Sequence, residues 1–451
     1  FRRVLFRSTS AQAALPAPGL LAGQLERSLP FALTAAQRRV AAEIAGDLAQ
    51  SSPMQRLLQG DVGCGKTVVA ALAACQAIEA GYQVALMAPT EILAEQHFLK
   101  LRGWLEPLAV EVLWLTGSLA GKLKRQRQQQ AATSAQLIVG THALIQERID
   151  FSRLGLIIVD EQHRFGVRQR LALRRKGGNP HQLMMSATPI PRTLAMSYYA
   201  DLDVSLIDQM PPGRTPVRTR LFSTARRAQV VAAVRAAVAG GRQAYWVCPL
   251  IEGSEKVDLQ PALDTYAALS AELVDLRIGL VHGRLRSEEK AAVMAAFVAG
   301  EIDLLVATTV IEVGVDVANA SLMVIEHAER FGLAQLHQLR GRVGRGAHES
   351  VCVLLYQPPL SASARARLKI IFEHDDGFEI ARQDLRLRGP GEFVGSRQSG
   401  EPLLRHADLE SDVDLVELAQ AMAVQLLRDR PQDAGRHLQR WLGEREDLLR
   451  A

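Results

Sequence analysis

The sequence predicts an α/β protein built as two tandem parallel-sheet lobes, followed by a mostly helical C-terminal region. Short apolar runs bounded by turn residues recur between helix-like stretches, first over residues 29–211 and again over 212–360. A glycine-rich loop, GDVGCGKT at Gly60–Thr67, sits between the strand-like MQRLLQ and the apolar, helix-like TVVAALAACQAIEA. A guanidinium cluster, QLRGRVGR at Gln338–Arg345, lies far downstream. Together the last two imply one polyphosphate ligand gripped by two separately folded lobes.

The elements follow in chain order. Residues 1–28 read as linker or remnant, rich in Ala, Pro and Gly over 14–23, and the opening FRRVLFRS, residues 1–8, is unlike a native domain start. In the first lobe the strands are VALMAP, EVLWLT, QLIVG, LGLIIVD and QLMMSA. MPPGRTPVRTR then interrupts the pattern. The second lobe takes up QAYWVCPL, RIGLVHG, DLLVATT, LMVIEH and VCVLLY. Residues 361–451 finish in a leucine-rich helical tail through QAMAVQLLRDR and HLQRWLGERE.

The spacing Gly60, four residues including Gly63, Gly65, Lys66, Thr67 lets the backbone wrap closely around phosphate oxygens, because glycine tolerates positive φ and has no Cβ to collide with them. Lys66 then neutralises β and γ charge, Thr67 holds Mg²⁺, and the following helix aims its positive end at the phosphates. LGLIIVDEQH, Leu154–His163, is an apolar strand ending in two carboxylates; Asp160 would join the Mg²⁺ shell and Glu161 would orient or deprotonate the attacking water. Arg342 and Arg345, on one face if helical, would stabilise γ-phosphoryl charge as arginine fingers.

In this order the motifs resemble those of superfamily two helicases and translocases, and the set is most similar to the RecG family. LPFALTAAQ, Leu29–Gln37, resembles the adenine-reading Q motif, which implies that Gln37 contacts the base with Phe31 nearby. APTEILAEQH with Thr90 and VGTHALIQ with Thr141 resemble motifs that grip a DNA strand, and SAT, with Ser186 and Thr188, one that couples the lobes. VATTVIEVGVDVANA resembles motif V, in which Thr308, Gly314 and Asp316 link nucleotide state to the DNA path. The resemblance assigns coupling or DNA roles to Gln162, His163 and Gln338 as well, and His282 and Arg284 stand where such lobes touch the DNA backbone.

The stretch Asp376–Gly400 resembles the TRG motif shared by RecG and the transcription-repair coupling factor Mfd, a lever that turns lobe movement into translocation on duplex DNA. Its expected residues are Arg386, Arg388, Glu392, Arg397 and Gln398 around a Gly-Pro-Gly break. The resemblance implies two RecA-like lobes and an ATP- and Mg²⁺-dependent DNA helicase or double-stranded DNA translocase that remodels stalled forks and Holliday junctions in recombination and repair. DEQH in place of DEEH, the TVVA continuation and LRGPGE with RQSG favour RecG over an Mfd-type motor. RecG proteins also carry an N-terminal wedge domain, and nothing before Leu29 is long enough to be one, so the sequence reads as a motor fragment. A nucleotide-gated DNA clamp without turnover would need a broken catalytic set, and every expected residue is present. An RNA helicase would have no use for a duplex lever.

Composition sets looser bounds. With 53 basic and 48 acidic residues the net charge is +5, so DNA binding must come from local patches such as KLKRQRQ, Lys122–Gln128, which reads equally as a solvated helix face. Aromatics at 5% argue for backbone contacts over base stacking, with affinity falling steeply in salt. Cys64, Cys75, Cys248 and Cys352 show neither metal nor disulfide spacing and imply a reducing compartment. Cys64, inside the loop, is either thiol-sensitive or a passive small residue. The expectation is a cytoplasmic monomer without membrane contact, acting on duplex and branched DNA (forks and four-way junctions), with single-strand-binding protein as a further partner.

Overall fold

The computed structural model describes residues 14–16, 19–117, 121–146, 148–187, 202–212, 216–249, 260–308, 317–346, 349–388 and 413–442. They fall into two compact units: the described residues of 1–60, 64–209 and 389–451 form one, and those of 61–63 and 210–388 the other.

The first unit holds seven strands: β1 (Gln55–Gly60), β2 (Gln83–Met87), β3 (Val112–Leu115), β4 (Leu137–Gly140), β5 (Leu154–Val159), β6 (His181–Ser186) and β7 (Asp203–Ile207). They pair in the order β3-β4-β2-β5-β6-β1-β7, every pair parallel. Helices cover both faces, so the strands are apolar on both sides. In β5, Leu156 and Ile158 enter one core while Leu154, Ile157 and Val159 enter the opposite one.

The second unit repeats the plan with β8 (Val217–Ser223), β9 (Gln243–Val247), β10 (Ile278–Val281), β11 (Leu304–Ala307), β12 (Ala320–Ile325) and β13 (Ser350–Tyr356), in the parallel order β10-β11-β9-β12-β13-β8. Tyr245 and Val247 of β9 face one core, Ala244 and Trp246 the other.

The two orders superimpose, with β12 taking the place of β5, and the likeness extends to side chains. After β5 come Glu161 in the left-handed region (φ 49°), a 3-10 turn at Gln162–Arg164, Phe165 and a helix from Val167. After β12 come His327 (φ 50°), a 3-10 turn at Ala328–Arg330, Phe331 and a helix from Leu333. Each helix starts at a glycine whose N–H donates to a glutamine three residues on: Gly166 to Gln169 at 3.1 Å and Gly332 to Gln335 at 3.0 Å. The sequences RFGVRQ and RFGLAQ are one capping device used twice. Gln83 and Gln243, opening β2 and β9, are likewise paired: each buried amide donates to two main-chain carbonyls, Ala131 and Ala135 in one unit, Phe297 and Ile302 in the other.

Three expectations change. Within residues 1–28, taken as linker, Leu20–Ser28 is a helix, and Leu15 and Leu25 are fully buried in the first unit's core. The Glu79 carboxylate accepts from the N–H groups of Gly19 (3.0 Å) and Leu20 (2.7 Å), satisfying that helix start. The run MPPGRTPVRTR, read as a break, already contains the start of β8, and β7 had no reading as a strand. Both are edge strands with half-exposed, polar-interrupted faces, which weakens the apolar signal. The C-terminal tail forms helices Val413–Asp429 and Pro431–Leu442.

Candidate nucleotide site

Three segments converge at the carboxyl ends of neighbouring strands in the first unit. The glycine-rich loop leaves β1, Ser186 ends β6 between, and Asp160 and Glu161 follow β5. That edge is where open parallel sheets bind ligands, because the loops diverge there and helix N-termini point toward it.

The loop has a cradle's backbone. Gly63 (φ 82°) and Gly65 (φ 92°) are left-handed, and Gly65 precedes the helix Lys66–Glu79. A Cβ on Gly60 would come 2.4 Å from Cys64 Sγ, and Cys64 is 1% exposed. Cys64 therefore fills space that Gly60 leaves open, which favours the passive reading of this thiol. Lys66 Nζ donates to the Gly60 carbonyl at 2.8 Å, curling its ammonium back over the loop. Thr67 is partly exposed in the first helical turn.

Gln37, expected at the base, has both ends of its amide engaged within the protein. It is 2% exposed and caps its own helix, with Oε1 accepting from Thr34 N–H at 2.8 Å, while Nε2 donates to the Cys64 carbonyl at 2.8 Å. It braces the loop. Phe31 is 44% exposed and meets Trp104 edge-on at 6.3 Å. A Cβ on Gly65 would lie 2.3 Å from Gln37 Nε2. Gly65→Ala should therefore cost about 1–3 kcal/mol through left-handed strain and loss of the Gln37 bonds, and should weaken nucleotide binding by ~10-fold or more. Thermal melting and titration with a fluorescent ATP analogue check both effects.

The carboxylates are held from several sides. Asp160 N–H donates to the Met87 carbonyl at 2.9 Å, Asp160 Oδ1 accepts from Glu161 N–H at 3.0 Å, and Oδ2 accepts from His97 Nε2 at 2.7 Å. Burial pushes the Asp160 carboxyl up, but the His97 hydrogen bond, the charges of His97 and Lys66 and the Glu161 N–H outweigh it and hold the group below its usual range. It is an anion at neutral pH with lone pairs to spare. Glu161 is 7% exposed and sits in the left-handed region, a strained backbone conformation for a residue with a side chain.

Other expected residues occupy varied settings. Thr90 caps the helix Glu91–Leu105, its Oγ1 accepting from Leu93 N–H at 3.3 Å, so its hydroxyl proton stays available to a phosphate. Thr141 Oγ1, Gln162 Nε2 and Thr308 Oγ1 are buried with no hydrogen-bond partner among the described residues. Ser186 is buried at the end of β6. His163 and Arg388 lie within the described backbone. Thr188, Gly314, Asp316, Glu392, Arg397 and Gln398 lie outside the described residues.

In the second unit, Gln338 is buried in the helix Leu333–Arg340. Arg342 and Arg345 lie beyond that helix, so they do not share a helical face: a turn follows Arg340 and Gly344 takes φ 82°. Arg342 is 7% exposed and its N–H donates to the Leu339 carbonyl at 3.0 Å. Arg340, which sequence reasoning passed over, is 4% exposed and donates to the carbonyls of Ile371, His374 and Asp375, anchoring the motif helix to the segment that opens Gly377–Arg388. Arg386 is exposed on that last helix. His282 follows β10 beside exposed Arg284; burial and the charges of Lys290 and Arg284 lower its pKa, against Glu289. The buried thiols of Cys75 and Cys352 are pushed up to about 12, mainly by burial, and none of the four cysteines is in a disulfide. No helix among the described residues is long and apolar enough to cross a membrane.

A glycine-rich loop and paired carboxylates at the strand ends of the first of two tandem parallel sheets mark the chain as a P-loop-type α/β protein. The profile of the DEAD/DEAH box helicases matches residues 34–197, that of the helicase conserved C-terminal domain 229–347, and that of ATP-dependent DNA helicase RecG, domain 3, C-terminal, 374–439. The chain is 57% identical over 93% of its length to ATP-dependent DNA helicase RecG of Acidithiobacillus ferridurans, covering 61% of that protein. It is 55% identical over 96% of its length to the RecG of Escherichia coli K12, covering 63%. A structure of RecG bound to a three-way DNA junction matches with TM-score 0.75 and 45% identity, over 92% of this chain and 55% of that one. Yeast Dbp5 bound to RNA shares the fold at TM-score 0.61 and 16% identity, over 82% of this chain and 97% of that one. The chain is thus similar to RecG proteins over nearly its whole length and spans about three fifths of the length of these curated relatives.

Proposed function

We propose that this chain is the motor of a RecG-type DNA translocase, a DNA-dependent ATPase that remodels forks and four-way junctions. The observation that carries the proposal is the convergence of the Gly63/Gly65 loop, Lys66 and the Asp160-Glu161 pair on one strand edge. The residues fit ATP and Mg²⁺: the loop is a cradle a Cβ would fill, and Asp160 is a buried anion whose two known donors leave acceptor capacity. Bound Mg²⁺ supplies charge neutralisation on the phosphates. Lys66 binds β and γ oxygens, Thr67 and Asp160 hold the ion, Glu161 orients water and accepts its proton, and Arg342 with Arg345 stabilises γ-phosphoryl charge. Phe31 and Gln37 flank the base, with Gly314 and Asp316 linked to the nucleotide. Thr90, Thr141, His282 and Arg284 contact the DNA backbone; Gln162, His163, Ser186, Thr188, Thr308 and Gln338 carry the coupling; Arg386, Arg388, Glu392, Arg397 and Gln398 form the lever.

The domain reading is residues 29–211 and 212–360 as the two lobes and 361–451 as lever and helical tail. The finer readings, a cytoplasmic monomer meeting single-strand-binding protein on the same DNA, belong to the same proposal. The match of residues 374–439 to the RecG domain 3 family model favours RecG over an Mfd-type motor. The test is steady-state ATP hydrolysis without nucleic acid and with single strand, linear duplex, four-way junction or RNA. Duplex or junction DNA should raise turnover about tenfold or more, while the chain by itself regresses forks poorly. Stimulation by RNA alone, or none in protein that binds ATP, overturns the proposal.

A further inference from the structure

We propose that His97 is the positioning residue of the metal carboxylate: it fixes the Asp160 side chain so that its remaining lone pairs face the ion. The inference rests on reading Asp160 as the Mg²⁺ ligand. Helix Glu91–Leu105 follows β2, the neighbour of β5, so its second turn passes over the end of β5. There His97 Nε2 lies 2.7 Å from Asp160 Oδ2, with the two side chains 7% and 11% exposed. A carboxylate oxygen accepts only, so the ring nitrogen is the donor.

The Asp160 backbone is pinned by Met87, and Oδ1 is occupied by the Glu161 N–H. A carboxyl group so anchored at one oxygen still turns about its last bond. The bond at the other oxygen stops that rotation, and it comes from a helix whose N-cap is Thr90. One rigid helix thus joins a residue expected at the DNA to the orientation of the carboxylate. Groups that orient a metal ligand through a hydrogen bond typically alter metal affinity by ~10- to 100-fold when lost.

The test is binding of a fluorescent ADP to the whole chain with and without Mg²⁺. The readout is the gain in affinity that Mg²⁺ confers, alongside thermal melting. His97→Leu keeps bulk without a donor; His97→Gln returns a donor near the Nε2 position. The expected result is that His97→Leu cuts the Mg²⁺-dependent gain ~10- to 100-fold and leaves Mg²⁺-free binding unchanged, and that His97→Gln restores most of the gain. The proposal is overturned by a native gain in His97→Leu, by equal losses with and without Mg²⁺, or by a His97→Gln protein no better than the leucine variant. A folded His97→Gln protein lacking the gain also overturns it, even if His97→Leu does not fold. Asp160→Asn separates the two levels. If it too keeps the native gain, the reading of Asp160 fails and takes the inference with it; if it loses the gain while His97→Leu keeps it, the inference alone fails.

Discussion

Arg342→Ala is expected to lower DNA-stimulated ATP turnover by ~10³- to 10⁵-fold, equivalent to roughly 4–7 kcal/mol of barrier, with ATP binding largely kept. The expectation follows from where charge develops. The transferred phosphoryl gathers negative charge on its equatorial oxygens, and a preoriented guanidinium meets it without reorganising solvent. Arg342 suits that part because the turn after Arg340 holds its backbone and the residue is 7% exposed. Arg342→Lys should recover little, since a single ammonium cannot reproduce the planar two-pronged donor. The measurement is kcat at saturating ATP and duplex DNA. A kcat within tenfold of the parent would remove Arg342 from the chemistry and leave it a structural residue.

Most of the fold was legible because central parallel strands are apolar on both faces. Runs such as Leu154–Val159 and Leu304–Ala307 have no polar alternative reading. What failed lies at the margins. β8 alternates Arg and Thr with apolar residues because it is an edge strand, and the helix Leu20–Ser28 hid among the Ala, Pro and Gly of the segment before it. The glycine-rich loop and the acidic pair stood out because each is a pattern local in sequence. His97 was not singled out, because its partner is 63 residues away and a histidine on an amphipathic helix carries no signature. The repeated RFG device was open to inspection, since RFGVRQ and RFGLAQ share four of six positions. It went unread because the two copies lie far apart in the sequence, one in each unit. Its physical content is that one strand-to-helix corner serves both units: in the first it presents Asp160 and Glu161, and in the second Glu326 and His327 stand at the same places. There Glu326 is tied up by Trp246 Nε1 at 3.0 Å and Thr265 Oγ1 at 3.0 Å, so the corner keeps its shape and serves packing.

The contrast between the two corners frames the expected behaviour of Glu161→Gln. A general base contributes typically ~10²- to 10⁴-fold, and the amide cannot take the proton from water, so turnover with duplex DNA should fall by that factor. Folding should be nearly unaffected. Glutamine and glutamate bear similar strain at φ 49°, and the Asp160 bonds to His97 and to the residue 161 N–H do not involve the replaced carboxylate. ATP binding should persist, because the groups proposed to grip the phosphates are the loop and Lys66, whose ammonium is held over the loop by the Gly60 carbonyl. Single-turnover hydrolysis, ATP affinity and thermal melting measured on one preparation distinguish this from a general loss of structure. The same experiment decides between a motor and a nucleotide-gated clamp. A clamp draws on ATP binding alone, so its DNA affinity and nucleotide response would be identical in the parent and the Glu161→Gln variant at every time point. A motor held before hydrolysis instead accumulates in its ATP-bound state, and its duplex affinity stops relaxing as ATP is supplied.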